Sequence, residues 1–256
     1  MSTVAKAATI GVVDMKAGMV FGAKTNVTQT ERVRARQELY PSYKSFDEFI
    51  DVERLRSLNA YLTCRIRRHI HDNRDDFFVN EHVLDTDAPY KPGVREIWLK
   101  RTRPGTPYDY LDINRTHLWQ ATEEANEFTL LMDFIATLPF QSTGRVLLIY
   151  DEGGRSVPAH RDHEATDLCH DFVWLRTNLR KPFYVLNHLS GEKLYIDGYS
   201  AWFDTVNQYH GSDAGEGLTF SVRVDGHFTK EFRERIPYLA ENAAATPAIW
   251  AQRAGV

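Results

Sequence analysis

Residues 171–187 read Asp171-Phe-Val-Trp-Leu-Arg-Thr-Asn-Leu-Arg-Lys-Pro-Phe-Tyr-Val-Leu-Asn187. Two runs rich in aromatic and β-branched residues, Asp171 to Leu179 and Phe183 to Asn187, are parted only by Arg180-Lys181-Pro182. Such runs favour extended chain, and a proline that cannot donate to a ladder marks the break between them. Working outward, the same texture continues. Downstream lie Lys193 to Ile196, Ala201 to Phe203 and Leu218 to Val224, and upstream lies Arg145 to Tyr150, with Gly, Asp, Asn and Ser at the turns. Closely spaced strands with short connections predict an antiparallel barrel or jelly roll rather than βαβ units.

Before this half the pattern is mixed. Ser45 followed by Glu48 has the form of a capping box, and Phe46, Phe49, Ile50, Leu55, Leu58, Leu62 and Ile66 recur at helical spacing, which predicts a helix over about 46–72. Arg65, Arg67 and Arg68 near its end read as a solvated face. Val94 to Thr102 reads as a strand, followed by a Pro- and Gly-containing stretch from Arg103 to Tyr108. A second helix is expected over about 122–138, capped by Thr122 and stopped by Pro139. A third is expected over Thr229 to Leu239. The expected fold class is therefore mostly β with flanking helices. The domain plan is one unit over 1–256, with support over about 1–143, a β core over 144–226, and a helix and tail over 227–256.

Composition narrows the class of partner. Thirty-one Lys and Arg against thirty-five Asp and Glu leave a net charge of −4, so nothing draws the chain as a whole to nucleic acid or anionic lipid. Cys64 and Cys169 are too few for a disulfide framework or a thiolate cluster. The stretch Ala8 to Val20, interrupted by Asp14 and Lys16, reads as a strand rather than an export signal, and no apolar run approaches the roughly 20 residues of a membrane span. A cytoplasmic protein without a membrane or nucleic-acid partner is expected, and a homodimer is compatible with the sequence.

The chemistry concentrates in two places. In Val157-Pro-Ala-His-Arg-Asp-His163, His160 and Asp162 are two apart, so on extended chain both side chains aim the same way. Fifty residues on, His210 follows Val206-Asn-Gln-Tyr209 at another strand-to-turn position. Two imidazoles and one carboxylate on one face of an octahedron leave three sites open, the pattern of non-haem iron(II) oxygenases. The strand Leu218 to Asp225 then puts Thr219, Ser221 and Arg223 on one face. An arginine fork there suits the distal carboxylate of 2-oxoglutarate. In the earlier strand, Phe172, Trp174, Arg176 and Asn178 share a face, and Arg176 and Asn178 offer a second anion site. His163, His170, His188 and His227 read as turn or rim residues, Trp98, Trp174 and Trp202 as core, and Arg180 and Lys181 as solvated.

The pieces Arg145-Val-Leu-Leu-Ile-Tyr150, Pro158-Ala-His-Arg-Asp162, Trp174-Leu-Arg-Thr-Asn-Leu179, Tyr199-Ser-Ala-Trp-Phe-Asp204, His210 and Val224-Asp-Gly226 resemble the aspartyl/asparaginyl β-hydroxylase superfamily, including its bacterial L-proline cis-hydroxylase branch. They cover roughly a third of the chain. The resemblance implies a double-stranded β-helix, Fe(II), O2 and 2-oxoglutarate. It implies His160, Asp162 and His210 as metal ligands and catalytic centre, and Arg176, with Trp174 beside it, facing substrate or cosubstrate. Arg223, with Ser221 and Asn178, is the candidate cosubstrate site. In that branch the cosubstrate arginine follows the distal His by about ten residues. Here Glu216-Gly217-Leu218 stands in that neighbourhood, and Arg223 comes thirteen residues after His210.

The expected activity is hydroxylation of an unactivated C–H bond in a small, carboxylate-bearing amino acid or amino-acid-derived metabolite. The retained Asp162 leaves no halide site and favours hydroxylation over halogenation. Alternatives are a peptidyl residue or lipid-linked acyl chain as substrate, desaturation or cyclisation at the same iron, and a non-catalytic metal-binding barrel.

Overall fold

The computed structural model describes residues 43–71, 94–102, 115–151, 156–160, 171–187, 190–203, 205 and 208–235. Expectations for Ala8 to Val20, Arg103 to Tyr108, Asp162, His163, Cys169, His170, His188, the end of the helix over 229–239 and the tail fall outside these residues. The strands are β1 (Lys44–Ser45), β2 (Val94–Thr102), β3 (Trp119–Ala121), β4 (Phe140–Asp151), β5 (Val157–His160), β6 (Asp171–Arg176), β7 (Phe183–Leu186), β8 (Lys193–Tyr195), β9 (Ser200–Trp202), β10 (His210–Ser212) and β11 (Thr219–Phe228). The helices are α1 (Val52–His71), α2 (Thr129–Ile135) and α3 (Lys230–Arg235), with 3-10 turns at Asp47–Phe49, Thr116–Leu118 and Glu124–Phe128.

Seven strands form one sheet in the order β1-β9-β6-β11-β4-β2-β3, and four form a second in the order β5-β10-β7-β8. Every pairing among them is antiparallel. From β4 to β11 the chain passes back and forth between the two sheets, and the two four-strand sets interleave as a double-stranded β-helix. The two runs around Arg180-Lys181-Pro182 thus lie in different sheets, with that break carrying the chain across.

Pairing register tells which residues share a face. Leu148, Val222 and Leu175 stand opposite one another across β4, β11 and β6, as do Val146, Val224 and Val173. Thr177 continues this face and donates from Oγ1 to Asn59 Oδ1 of α1 at 2.9 Å, so this is the side the helix covers. Leu55, Leu62, Ile66, Leu131 and Phe134 of the helices are fully buried there. Each such side chain contributes about 1.5–3 kcal/mol relative to exposure. The opposite face, carrying Leu147, Arg223 and Trp174, looks toward the smaller sheet, since Trp174 meets Phe183 of β7 with ring centroids 4.6 Å apart.

The helix starts differ from expectation. Asp51, not Ser45, caps α1: its Oδ1 accepts from Arg54 N at 2.9 Å while Leu55 N bonds Asp51 O at 3.0 Å. Ser45 Oγ instead accepts from Asp47 N at 3.3 Å in the preceding 3-10 turn. Glu48 pairs with Lys44 at 2.7 Å. Thr122 is likewise diverted, donating to Trp98 O at 2.7 Å, and the helix it was expected to open begins as the 3-10 turn Glu124–Phe128 and becomes α-helical only at Thr129. In both places a tertiary acceptor or a nearer turn took the side chain the local cap required.

An aromatic cluster fastens the flanks to the barrel. Phe228 stacks on Phe140 at 4.5 Å and meets Phe232 at 4.9 Å, while Phe46 meets Phe232 at 5.4 Å. β4 bulges where it passes Gly226, taking three residue steps from Val146 to Thr143 against two from Val224 to Gly226 on β11, and this approach requires glycine, because a Cβ there would collide with Ser142 O and lie 2.9 Å from the Phe140 ring. No helix among the described residues is long and apolar enough to cross a membrane. Cys64 is an exposed free thiol.

Candidate metal centre

His160 ends β5 and His210 opens β10, and the two are direct cross-strand partners. Directly opposed residues on an antiparallel pair project to the same side with Cβ atoms about 4.5–5.5 Å apart. The rings accordingly lie 4.5 Å apart, inclined at 52°. Each is fixed by the same device: His160 Nδ1 donates to Pro158 O at 2.9 Å, and His210 Nδ1 donates to Gln208 O at 3.1 Å. A carbonyl can only accept, so each Nδ1 carries the proton and the neutral ring's lone pair sits on Nε2. Holding a ligand imidazole by its other N–H fixes tautomer and orientation before a cation arrives.

Close passage of the strands is possible because the residue after His210 is glycine. A Cβ on Gly211 would lie 2.6 Å from Val157 O and 2.8 Å from the Tyr184 hydroxyl, so any larger residue would push β10 away from β5 or β7. His210 also packs on Phe203 at 5.1 Å, and Phe203 meets Phe172 edge-on at 5.4 Å. Phe203 thus covers one side of the His210 ring, with Phe172 behind it.

Arg223 lies over Phe172, with its guanidinium carbon 4.9 Å from the ring centroid. It therefore stands on the face and at the barrel end that carry the histidines. Its Nε donates to both oxygens of Asp225, at 3.0 and 3.2 Å, and Asp225 Oδ2 also accepts from Arg145 Nε at 2.8 Å. Asp225 is completely buried. Arg145 and Asp225 were missed in the sequence, although one more step of the two-residue stripe Thr219, Ser221, Arg223 reaches Asp225. Ser221 is buried on the same stripe, opposite Arg176 and Ile149.

Other expected site residues have different tasks. Arg176 is 3% exposed, and its guanidinium is enclosed by carbonyls: Nε to Gly198 O at 2.8 Å, Nη1 to Lys181 O at 3.1 Å and Nη2 to Ile196 O at 2.5 Å. Burial pulls its pKa below the usual arginine value, with Asp47 and Tyr199 opposing. It braces the loops after β6 and β8, which replaces the carboxylate clamp expected of it. Trp174 is buried between Arg176, 5.5 Å away, and Phe183. Asn178 leaves the stripe because β6 ends at Arg176. Its Nδ2 donates to Asn59 Oδ1 of α1 at 2.7 Å and its Oδ1 accepts from Arg180 N at 3.2 Å, so it ties the loop to the helix instead of facing the barrel. Lys181, expected in solvent, is 3% exposed and forms an ion pair with Asp151. A proline that returns the chain into the barrel carries Lys181 in with it.

Among the described residues no group of three His, Cys, Asp or Glu converges on one point. The two described members of the expected triad, oriented imidazoles on adjacent strands, fit a cation such as iron. Asp162, the third expected ligand, lies outside the described residues.

No family model matches the sequence, and no curated protein matches it. Solved structures do resemble it in outline. A Pseudomonas putida prolyl-4-hydroxylase is 13% identical, covering 76% of this chain and 96% of its own, with a TM-score of 0.42. A Trichoplax adhaerens prolyl hydroxylase, solved with a hypoxia inducible factor oxygen degradation domain peptide fragment, is 11% identical, covering 85% and 98%, also at 0.42. A Burkholderia pseudomallei oxidoreductase of the 2OG-Fe(II) oxygenase family is 11% identical, covering 53% and 68%, at 0.35.

Proposed function

We propose that the chain is an Fe(II)- and 2-oxoglutarate-dependent dioxygenase that hydroxylates an unactivated C–H bond of a small, carboxylate-bearing amino acid or amino-acid-derived metabolite. The reading is carried by the His160–His210 pair, opposed across two strands of a double-stranded β-helix with both Nδ1 atoms donated to backbone carbonyls. With Asp162, two residues after His160, they make the two-histidine, one-carboxylate set that suits ferrous iron and leaves sites for a chelating cosubstrate. When bound, iron with 2-oxoglutarate and O2 supplies oxidative decarboxylation to succinate and CO2, with the second oxygen atom inserted into the substrate C–H bond.

The chain's own residues supply position and shelter. His160 and His210 hold the cation on rigid strands, Phe172 and Phe203 exclude water beside it, and Arg223 places a guanidinium on the same wall for a carboxylate. Ser221, two residues earlier on the stripe, adds a hydroxyl.

The test is anaerobic reconstitution with ferrous iron. One iron per chain, a visible charge-transfer band on adding 2-oxoglutarate, and succinate formation under O2 are expected. All three should be lost in His160→Ala and Asp162→Ala. A correctly folded chain that takes up no iron, or forms no succinate across a screen of amino acids and their derivatives, would sink the proposal.

A further inference from the structure

In a chain of net charge −4, one element is strongly basic: α1 holds five arginines against a single carboxylate, Glu53. Arg67 follows Arg56 by eleven residues, which is three turns and about 20° around the helix axis, so the two share a face roughly 16 Å apart. Both are exposed.

Beside the start of this face lies a groove of about 570 Å³, with Arg56, Asn59, Leu179, Arg180 and Tyr199 among its walls. One wall is α1, and the other is the loop after β6. Asn59 ties them together, its Oδ1 accepting from Thr177 Oγ1 at 2.9 Å and from Asn178 Nδ2 at 2.7 Å. With that oxygen engaged, Asn59 has amide N–H groups to offer. Arg56 pairs with Glu53 at 2.7 Å and lies over Tyr199, its guanidinium carbon 5.4 Å from the ring centroid. On the facing wall Arg180 is fixed by its backbone: its N donates to Asn178 Oδ1 at 3.2 Å, and its O accepts from Glu216 N at 3.2 Å. The Arg180 guanidinium, like that of Arg67, meets no carboxylate among the described residues. Leu179, next to Arg180 on this anchored loop, is 47% exposed.

Helix-dipole compensation accounts for cations in the last turn of α1, but not for Arg56 and Arg180, which lie away from that end. The groove is also separate from the histidines. Phe172, which stands behind Phe203 and His210, is four residues before Arg176, about 13 Å along β6, and the groove lies beyond that end on the helix-covered face.

We infer that this groove and the adjoining face of α1 dock an extended acidic segment of a partner protein. Its carboxylates meet Arg180, Arg56 and Arg67, and one of its apolar side chains covers Leu179. The span from Arg56 to Arg67 suits about five residues of extended chain. Phosphate groups would use the guanidiniums but leave Leu179 in water. Exposed ion pairs contribute little singly and are screened by salt, so binding depends on several arginines together and weakens steeply with ionic strength. None of these residues belongs to the metal centre, so docking requires neither iron nor 2-oxoglutarate.

The probe is a fluorescein-labelled octapeptide of Glu with one central Leu, read by fluorescence anisotropy on the full chain at low salt. Its counterpart with Gln in place of Glu is the neutral control, and tripolyphosphate and a single-stranded oligothymidylate are competitors. All substituted positions are exposed, and circular dichroism checks folding. The Glu peptide should bind, the Gln peptide should not, and loading with iron and 2-oxoglutarate should change neither result. Affinity should fall at least tenfold in the double variant Arg56→Gln with Arg180→Gln, and at least threefold in Arg67→Gln and in Leu179→Ser. Lys230→Gln, which removes a cation 83% exposed on α3, should leave it unchanged.

A folded wild type that does not bind the Glu peptide, or an equal loss in Lys230→Gln, would overturn the docking surface. Full affinity in Arg67→Gln or in Leu179→Ser would overturn the extended placement. Tripolyphosphate or oligothymidylate binding more tightly than the peptide, through the same arginines, would overturn the acidic segment as occupant.

Discussion

Replacing Arg176 by Met separates a structural arginine from a substrate clamp. The guanidinium donates to Gly198 O, Lys181 O and Ile196 O, from a side chain that is 3% exposed. Hydrogen bonds to a charged group contribute about 1.5–3 kcal/mol each, and a buried acceptor left without a donor costs about 1–3 kcal/mol. Against this, methionine removes the desolvation cost of a buried cation and fills most of the volume, which offsets a few kcal/mol. Relaxation of the loops toward water would satisfy part of the remainder. A net loss of about 3 kcal/mol follows, or about 6–12 °C in Tm for a domain of this size. The assay is urea unfolding at pH 7 followed by far-ultraviolet circular dichroism, paired with iron and 2-oxoglutarate titrations below the transition. The midpoint should fall while affinity per folded molecule holds within about twofold. A variant as stable as wild type within about 0.5 kcal/mol, but with weakened ligand binding, would refute the bracing role and return Arg176 to the binding site.

Three further expectations are open to direct measurement. Gly211→Ala places a Cβ 2.6 Å from Val157 O, so β5 and β10 must part; about 1–3 kcal/mol of stability and at least tenfold in ferrous-iron affinity should be lost, and a variant with native iron affinity would contradict the close-packing account. Asp51→Ala removes the cap of α1 and should cost about 1 kcal/mol in chemical unfolding, whereas Ser45→Ala should cost less; the reverse order would restore the capping box as the start of the helix. Asp213 accepts from Lys193 at 2.6 Å and Tyr195 at 2.6 Å, which hold its carboxyl below the usual 3.8. Because the folded-state pKa is depressed, the stability difference between wild type and Asp213→Asn should be fully present above about 3.8 and vanish as pH falls through the lowered value, and a difference that grew on acidification would reverse the sign.

Local chemistry was enough to place most of the barrel strands and the histidines. Alternation along β6 and β11 is a two-residue property that any extended segment displays, and it grouped Trp174 with Arg176, and Ser221 with Arg223, before any packing was known. His160 and His210 were legible because each stands at a strand edge. The opposition of β5 and β10, and the carbonyls that fix both Nδ1 atoms, belong to the fold.

What only the tertiary structure decided is which partner each polar side chain meets. Arg176 and Arg223 have the same parity and charge, yet one is enclosed by three carbonyls and the other lies over Phe172 beside Asp225. A stripe names the face, but the loops that close over it come from residues 20 or more positions away, such as Ile196 and Gly198. Lys181 and Thr122 teach the same lesson: a lysine before a proline and a threonine before a helix have ordinary local roles until the fold supplies Asp151 or the Trp98 carbonyl as a nearer partner. Period-two patterning is set by the backbone within one segment, whereas the pairing of buried charges depends on groups brought together only when the two sheets close.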